Sequence, residues 1–399
     1  MRKIFLIAAL AAASYVQAQV LTREDSLNAG LTPGERATVI SGYGEAKVGI
    51  DLNEGRAEAN LTRNVLFIGH RFSPRISLFS ELEIEDAKVA GGEPGGEVAL
   101  EQVFLKFDVT RHTYLTAGLI IPRIGITNEN HLPTSFNGVD RPYVEHDIIP
   151  ATWREIGVAA YGQCSGLPGL NWSFSVLNGL NSEGFNSEEG IRDGRFEGRE
   201  ASASNIAMSG SLLYYVGNFR LQASGYYGGT CTLDKEAADT MGLQAGLFGN
   251  PVALEEFDVQ YFSTGFTFRV LAAMIHIPDA QAINEVYGNN VAESMWGGYA
   301  EVGYNLLKPF GAEQKRLTLF ARYERMDLNA GMPENGTQDK YFASRSFIVT
   351  GLHFQPLHGV SVKADFVLRQ NGAPDSAIYG TVLPERNFSA VNIGIGYSF

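Results

Sequence analysis

The sequence predicts an all-β chain: a transmembrane antiparallel β-barrel of about 16 strands with one long connection folded inward as a constriction loop. Three observations carry that expectation. Apolar and polar residues alternate over many short stretches, with the charges on one face only. The connections between these stretches alternate between tight turns and long polar loops. Beyond the first residues, no uninterrupted apolar stretch approaches the roughly 18 residues that a spanning helix needs. Lipid offers backbone amides no hydrogen bonds, so a chain that crosses it with strands must close its sheet.

Residues 1–18 read as a secretory signal peptide. Arg2 and Lys3 precede the apolar run Ile4 to Ala13, and Val16-Gln17-Ala18 is a small-residue cleavage site. Residues 19–38 are then a short periplasmic lead-in and residues 39–399 the barrel. The formal net charge of the 399 residues is −13, and it becomes more negative when the signal leaves. Nucleic acid is therefore not an expected partner. Cys164 and Cys231 are too few for a disulfide framework. The expected topology puts them at opposite ends of the barrel, beyond bridging distance.

Strands are predicted near 39–52, 60–71, 76–88, 97–108, 114–121, 154–162, 170–178, 204–216, 219–228, 254–263, 266–277, 295–306, 316–327, 345–355, 360–370 and 389–399. In the first, Ile40, Ala46, Val48, Ile50 and Leu52 alternate with Tyr43, Glu45, Lys47 and Asp51. In 76–85, Leu78, Leu82 and Ile84 oppose Glu81, Glu83 and Glu85. In 316–327, Leu317, Leu319 and Tyr323 oppose Arg322 and Glu324. In 360–370, Val362, Ala364, Phe366 and Leu368 oppose Lys363, Asp365 and Arg369. The last strand sets Val391, Ile393, Ile395, Tyr397 and Phe399 against Asn392, Gly394, Gly396 and Ser398. A terminal aromatic of this kind resembles the signal by which a barrel-assembly machinery recognises outer-membrane proteins. The surroundings expected for such a chain are the lipids and lipopolysaccharide of a Gram-negative outer membrane. A barrel of this strand number is too wide for its side chains to fill, so it predicts a water-filled lumen that passes small hydrophilic solutes.

The segment PRIGITNENHLPTSFNGVDRPYVEHDIIPATW, residues 122–153, falls between the fifth and sixth strands. An exposed loop has little use for Ile124, Ile126, Leu132, Phe136, Tyr143, Val144, Ile148 and Ile149, so the segment is expected to pack inside the barrel. Arg123, Glu129, Asn130, His131, Asp140, Arg141, Glu145, His146 and Asp147 then become candidate pore-lining groups. Arg322, Glu324, Lys363, Asp365 and Arg369 join them from the wall. A bracing role, in which the strand charges pair with one another, weighs evenly against lining. For His131 and His146 packing is favoured over metal binding, because the sequence places no set of ligands around them. The connection from Gly179 to Ser202, rich in Glu and Arg, reads as a solvated outer loop.

The stretch GLIIPRIGITNENHLP, residues 118–133, followed by IIPATWREIGVAAYG, residues 148–162, is similar to the phosphate-selective porin O/P family. A long loop after the fifth strand resembles the third loop of porins in general. The resemblance implies a homotrimer that passes anions along arginines and lysines, a lining for which Arg123, Arg141, Arg220, Arg322, Lys363 and Arg369 are the candidates here. Glu45, Glu81, Glu83, Glu85, Glu301, Glu324 and Asp365 depart from a purely basic lining. No G-x-S-x-G elbow, H-E-x-x-H or P-loop is present, so neither catalysis nor a cofactor is expected. A lipid-hydrolysing barrel with a Ser and His on its outer wall, or a purely structural or adhesive barrel, are the alternatives.

Overall fold

The computed structural model describes residues 37–86, 96–311 and 314–399. The signal peptide and nearly all of the lead-in lie outside these residues. Sixteen strands follow one another: β1 (Ala37–Asp51), β2 (Arg56–Ser73), β3 (Ile76–Glu85), β4 (Val98–Asp108), β5 (Thr113–Ile120), β6 (Glu155–Gln163), β7 (Leu170–Asn178) and β8 (Ile206–Val216), then β9 (Phe219–Gly228), β10 (Val252–Phe262), β11 (Phe266–His276), β12 (Ser294–Asn305), β13 (Arg316–Gly331), β14 (Ser344–Leu357), β15 (Val360–Asn371) and β16 (Asn387–Ser398). Each pairs with the next, and β1 pairs antiparallel with β16 in the register Lys47↔Gly394 and Ile50↔Val391, which closes the barrel.

The boundaries differ most from expectation where alternation carries no signal. β2 begins at Arg56 because Glu58↔Gly49 and Arg56↔Asp51 continue the hairpin through exposed polar residues. β13 runs on to Gly331 because Met326, Asp327, Leu328 and Asn329 are all buried, so no face stands out. β1 begins within the residues expected to form the lead-in.

Along the strands, Leu66, Ile68, Leu82, Leu105, Phe257, Tyr323, Ile348, Leu368 and Ile395 are exposed on the outside. Glu81, Glu83, Asp258, Arg322, Glu324, Lys363 and Asp365 are buried inside. A barrel in water has the opposite arrangement, so the outer surface is built to face lipid. The short connections, such as 74–75, 217–218 and 358–359, share one end of the barrel. The long ones, 121–154, 179–205, 229–251 and 277–293 among them, share the other. Cys164 lies at the first end and Cys231 at the second, and both are free thiols.

The interior contains an apolar core of its own. Ile124, Val144, Ile148, Ile149 and Trp153 of the long connection pack with the inward Tyr226, Leu254, Leu271, Tyr299 and Met326. Leu180, Phe185 and Ile191 join this core, each at most 1% exposed. The 179–205 connection is therefore not the solvated loop expected: its Glu and Arg residues surround three apolar anchors.

Candidate functional site

The segment between β5 and β6 lies inside the barrel, because inward-facing residues from all around the wall hold it. Gln222 of β9 donates to the Gly125 carbonyl at 3.0 Å, and Arg269 of β11 to the Ser135 carbonyl at 2.9 Å. Glu324 of β13 accepts from the Val144 amide at 2.9 Å, and Asp365 of β15 from the Val139 amide at 2.6 Å. Lys363 donates to the Gly138 carbonyl at 2.8 Å, and Arg63 of β2 to the His131 carbonyl at 2.6 Å. The small face of the last strand has a use here: a Cβ on Gly396 would sit 2.7 Å from Pro133. On β12, a Cβ on Gly297 would sit 2.8 Å from Ile148.

Within the segment, α1 (Tyr143–Asp147) carries Glu145. Its carboxylate accepts from the Ile126 amide at 2.9 Å, from the amide and hydroxyl of Thr127, and from the Tyr299 hydroxyl at 2.7 Å. Burial pushes the Glu145 carboxyl up from its ordinary range, and the bonds from Thr127 and Tyr299 oppose that push. The neighbouring 179–205 connection clamps the same region: Arg192 donates to the carbonyls of His146 and Ala151, and Arg195 to those of Pro150 and Thr152. Burial, with Arg192 close by, lowers the Arg195 guanidinium to about 10.

A cavity of about 340 Å³ remains between residues 133–146 and the wall of β1, β15 and β16. Its charged lining is Glu45, Lys47, Asp140, Arg141, His146 and Lys363. Lys47 pairs with Asp140 at 2.7 Å, and Glu45 with Arg63 at 2.8 Å. Arg141 donates instead to the Thr152 hydroxyl at 2.8 Å. Lys363, besides its carbonyl bond, stands 3.7 Å over the Phe136 ring. Among the described residues, neither Arg141 nor Lys363 has a carboxylate within ion-pair distance. Arg141 and Lys363 thus line the cavity outside any direct ion pair, alongside Glu45 and Asp140.

The other candidates are held elsewhere. Arg123 and Glu129 form a buried 2.7 Å pair beside Tyr161. Asn130 is half-buried, and its carbonyl accepts from the Ser135 hydroxyl. Asp147 pairs with Arg345 at 3.0 Å and with the His146 imidazole at 2.7 Å. Arg322 bridges Glu324 at 2.7 Å and Glu301 at 3.2 Å. Asp365 is shared between Val139 and Asn392, and Arg369 covers the Phe388 ring at 4.3 Å. Of these, Asp147 with Arg345, Asp365 with Val139 and Glu324 with Val144 join the segment to the wall. Among the strand charges weighed for pairing or lining, Arg322 and Glu324 pair with each other, whereas Lys363 and Asp365 bond to the segment at Gly138 and Val139.

His131 is where the reading of its surroundings needs correction. It is fully buried, with Tyr43, Glu101 and Glu81 around its Nε2 at 2.8, 3.1 and 4.0 Å. Tyr43, Glu81 and Glu101 lie on β1, β3 and β4, so a set of ligand-type groups does surround it. His146, Asp147 and Glu189 form a second, more exposed group. Sequence reasoning also passed over Lys47 and Arg63 as site residues. Lys47 was visible on the polar face of its strand, whereas Arg63 lies in a strand whose faces are mixed.

No known family profile matches the chain. It is 29% identical over 346 residues to an uncharacterized protein of Aquifex aeolicus (strain VF5), a match covering 84% of this chain and 76% of that protein. Among solved structures it is similar to the anion-selective porin from Comamonas acidovorans, with a TM-score of 0.55, 12% identity and coverage of 92% and 100% of the two chains. It is also similar to OmpF of Salmonella typhi in complex with daunomycin, at TM-score 0.56, 12% identity and coverage of 91% and 97%. The outer membrane channel DcaP of Acinetobacter baumannii gives TM-score 0.54, 12% identity and coverage of 91% and 97%. At such identities the shared feature is the fold.

Proposed function

We propose that this chain is an outer-membrane porin of a Gram-negative cell: a passive, water-filled channel for small hydrophilic solutes that favours anions such as phosphate. The observation that carries the anion preference is that Arg141 and Lys363 line the cavity between the inserted segment and the wall outside any direct ion pair, while Lys47 balances Asp140 and Arg63 balances Glu45. Charge fixed in a narrow, low-dielectric passage replaces part of an ion's hydration and selects its sign. In this reading residues 133–146 narrow the lumen and the bracing pairs keep them there. The solved structures of similar fold include proteins described as an anion-selective porin and an outer membrane channel, and the resemblance to the phosphate-selective family points the same way. That resemblance also supports a homotrimer and recognition of the last strand, ending in Phe399, by the assembly machinery. The reading assigns no catalytic step.

Planar-bilayer recording tests this. The wild-type protein should conduct, and replacing residues 122–153 by a short Gly-Ser turn should raise single-channel conductance in a barrel that still shows heat-modifiable mobility. A wild-type protein that inserts but does not conduct would refute the channel. Unchanged conductance in the assembled replacement would refute the constriction.

A further inference from the structure

The cluster around His131 takes no part in the proposed conduction. Nδ1 of His131 lies 2.9 Å from the carbonyl oxygen of Asn128, which only accepts, so Nδ1 carries a hydrogen and Nε2 is the nitrogen left to bind a cation. Nε2 faces Oε1 of Glu101 at 3.1 Å. The Tyr43 hydroxyl lies 2.8 Å from Nε2, but its single proton is directed to Oε2 of Glu101 at 2.6 Å. Oε1 of Glu101 accepts no hydrogen bond, and Glu101 is 1% exposed. Arg63 reaches the same Oε1 only at the outer limit of an ion pair, 4.0 Å, and makes no hydrogen bond to it. It is committed to Glu45 at 2.8 Å and to the His131 carbonyl at 2.6 Å, and it stands 3.9 Å from Glu83. Nε2 and Oε1 therefore face each other in a buried site, an arrangement that repels unless a proton or a metal ion lies between them.

We propose that His131, Glu101 and Glu81 bind one divalent transition-metal cation of the zinc class, tethering the inserted segment to β3 and β4. Mixed imidazole and carboxylate donors suit such ions better than calcium or magnesium, which prefer oxygen alone. Donors about 2.1 Å from a tetrahedral ion lie about 3.4 Å from one another. The 3.1 and 4.0 Å from Nε2 to the two carboxylates bracket that spacing. The Nδ1 bond to a backbone carbonyl is the outer contact that orients metal-bound histidines. Gln102 donates at 2.9 Å to Oε2 of Glu81, the same oxygen that stands 4.0 Å from Nε2, and so orients that carboxylate. Because all three ligands are buried, the ion enters as the segment folds into the barrel.

The test is to refold the full mature chain in detergent with Co²⁺ as the probe, remove free metal by gel filtration, and measure bound cobalt and its visible absorption. The wild-type protein should retain about one equivalent with the absorption of a low-coordinate site. His131→Gln and Glu101→Gln should each retain at least tenfold less, and His146→Gln should retain the full equivalent. A wild-type barrel without bound cobalt would mean that a proton fills the gap, and would overturn the proposal whatever the variants do. Equal retention by a folded His131→Gln barrel, or loss in His146→Gln, would overturn it as well. If His131→Gln does not give a heat-modifiable barrel, Glu101→Gln and Glu81→Gln serve as the reading.

Discussion

The two flanks of the inserted segment are fixed by opposite means. From residue 143 to residue 153, Val144, Ile148, Ile149 and Trp153 are completely buried in an apolar core, and Trp153 lies against Tyr226 with ring centres 4.5 Å apart. From residue 130 to residue 141 the segment is held by side chains of the wall that reach its carbonyls and amides, as Arg63, Arg269, Lys363 and Asp365 do. Apolar packing is strong but non-directional, and it sets where the segment sits. Hydrogen bonds are directional, and they set which way charges face at the cavity beside residues 133–146. The difference teaches that anchorage and electrostatics are separable here, and each flank can be broken alone.

The largest effect is expected at the apolar flank. Trp153→Ala should cost about 3–5 kcal/mol of stability, the usual cost of emptying a large buried aromatic site, read as a lower denaturant midpoint of the barrel in detergent. Next is Glu145→Ala, which strands the Thr127 amide and the Tyr299 hydroxyl at about 1–3 kcal/mol each. Faster cleavage between residues 122 and 153 in limited proteolysis reads that loosening. At the polar flank, Arg141→Ala with Lys363→Ala should cost about 1–3 kcal/mol through the lost bonds to Gly138 and Thr152 and lower the anion-to-cation permeability ratio, on the order of fivefold. The smallest effect is expected from Lys47→Ala with Asp140→Ala. It removes a matched, half-exposed pair worth about 0–1 kcal/mol and leaves the reversal potential where it was. A large shift there would show that the flanks are not separable in this way.

Much of this was legible in the sequence, for physical reasons. Strand alternation survives wherever one face meets lipid and the other water, so β7 and β9 match their expected limits residue for residue. The segment announced its interior position through Ile124, Val144, Ile148 and Ile149, which no exposed loop would carry. What alternation cannot state is which wall group a loop atom meets. Asn137 reaches Glu301 across 164 residues of chain, and Tyr43 reaches His131 across 88. Those meetings depend on the path of the segment, and they decide which charges are cancelled. The density of Glu and Arg in 179–205 likewise concealed Leu180, Phe185 and Ile191.

The central claim is the proposal that Arg141 and Lys363, outside any direct ion pair, bias conduction toward anions. The reversal potential of the wild-type protein in a planar bilayer under a KCl gradient tests it most directly. The account predicts a potential of the sign set by chloride. A potential set by potassium would contradict it.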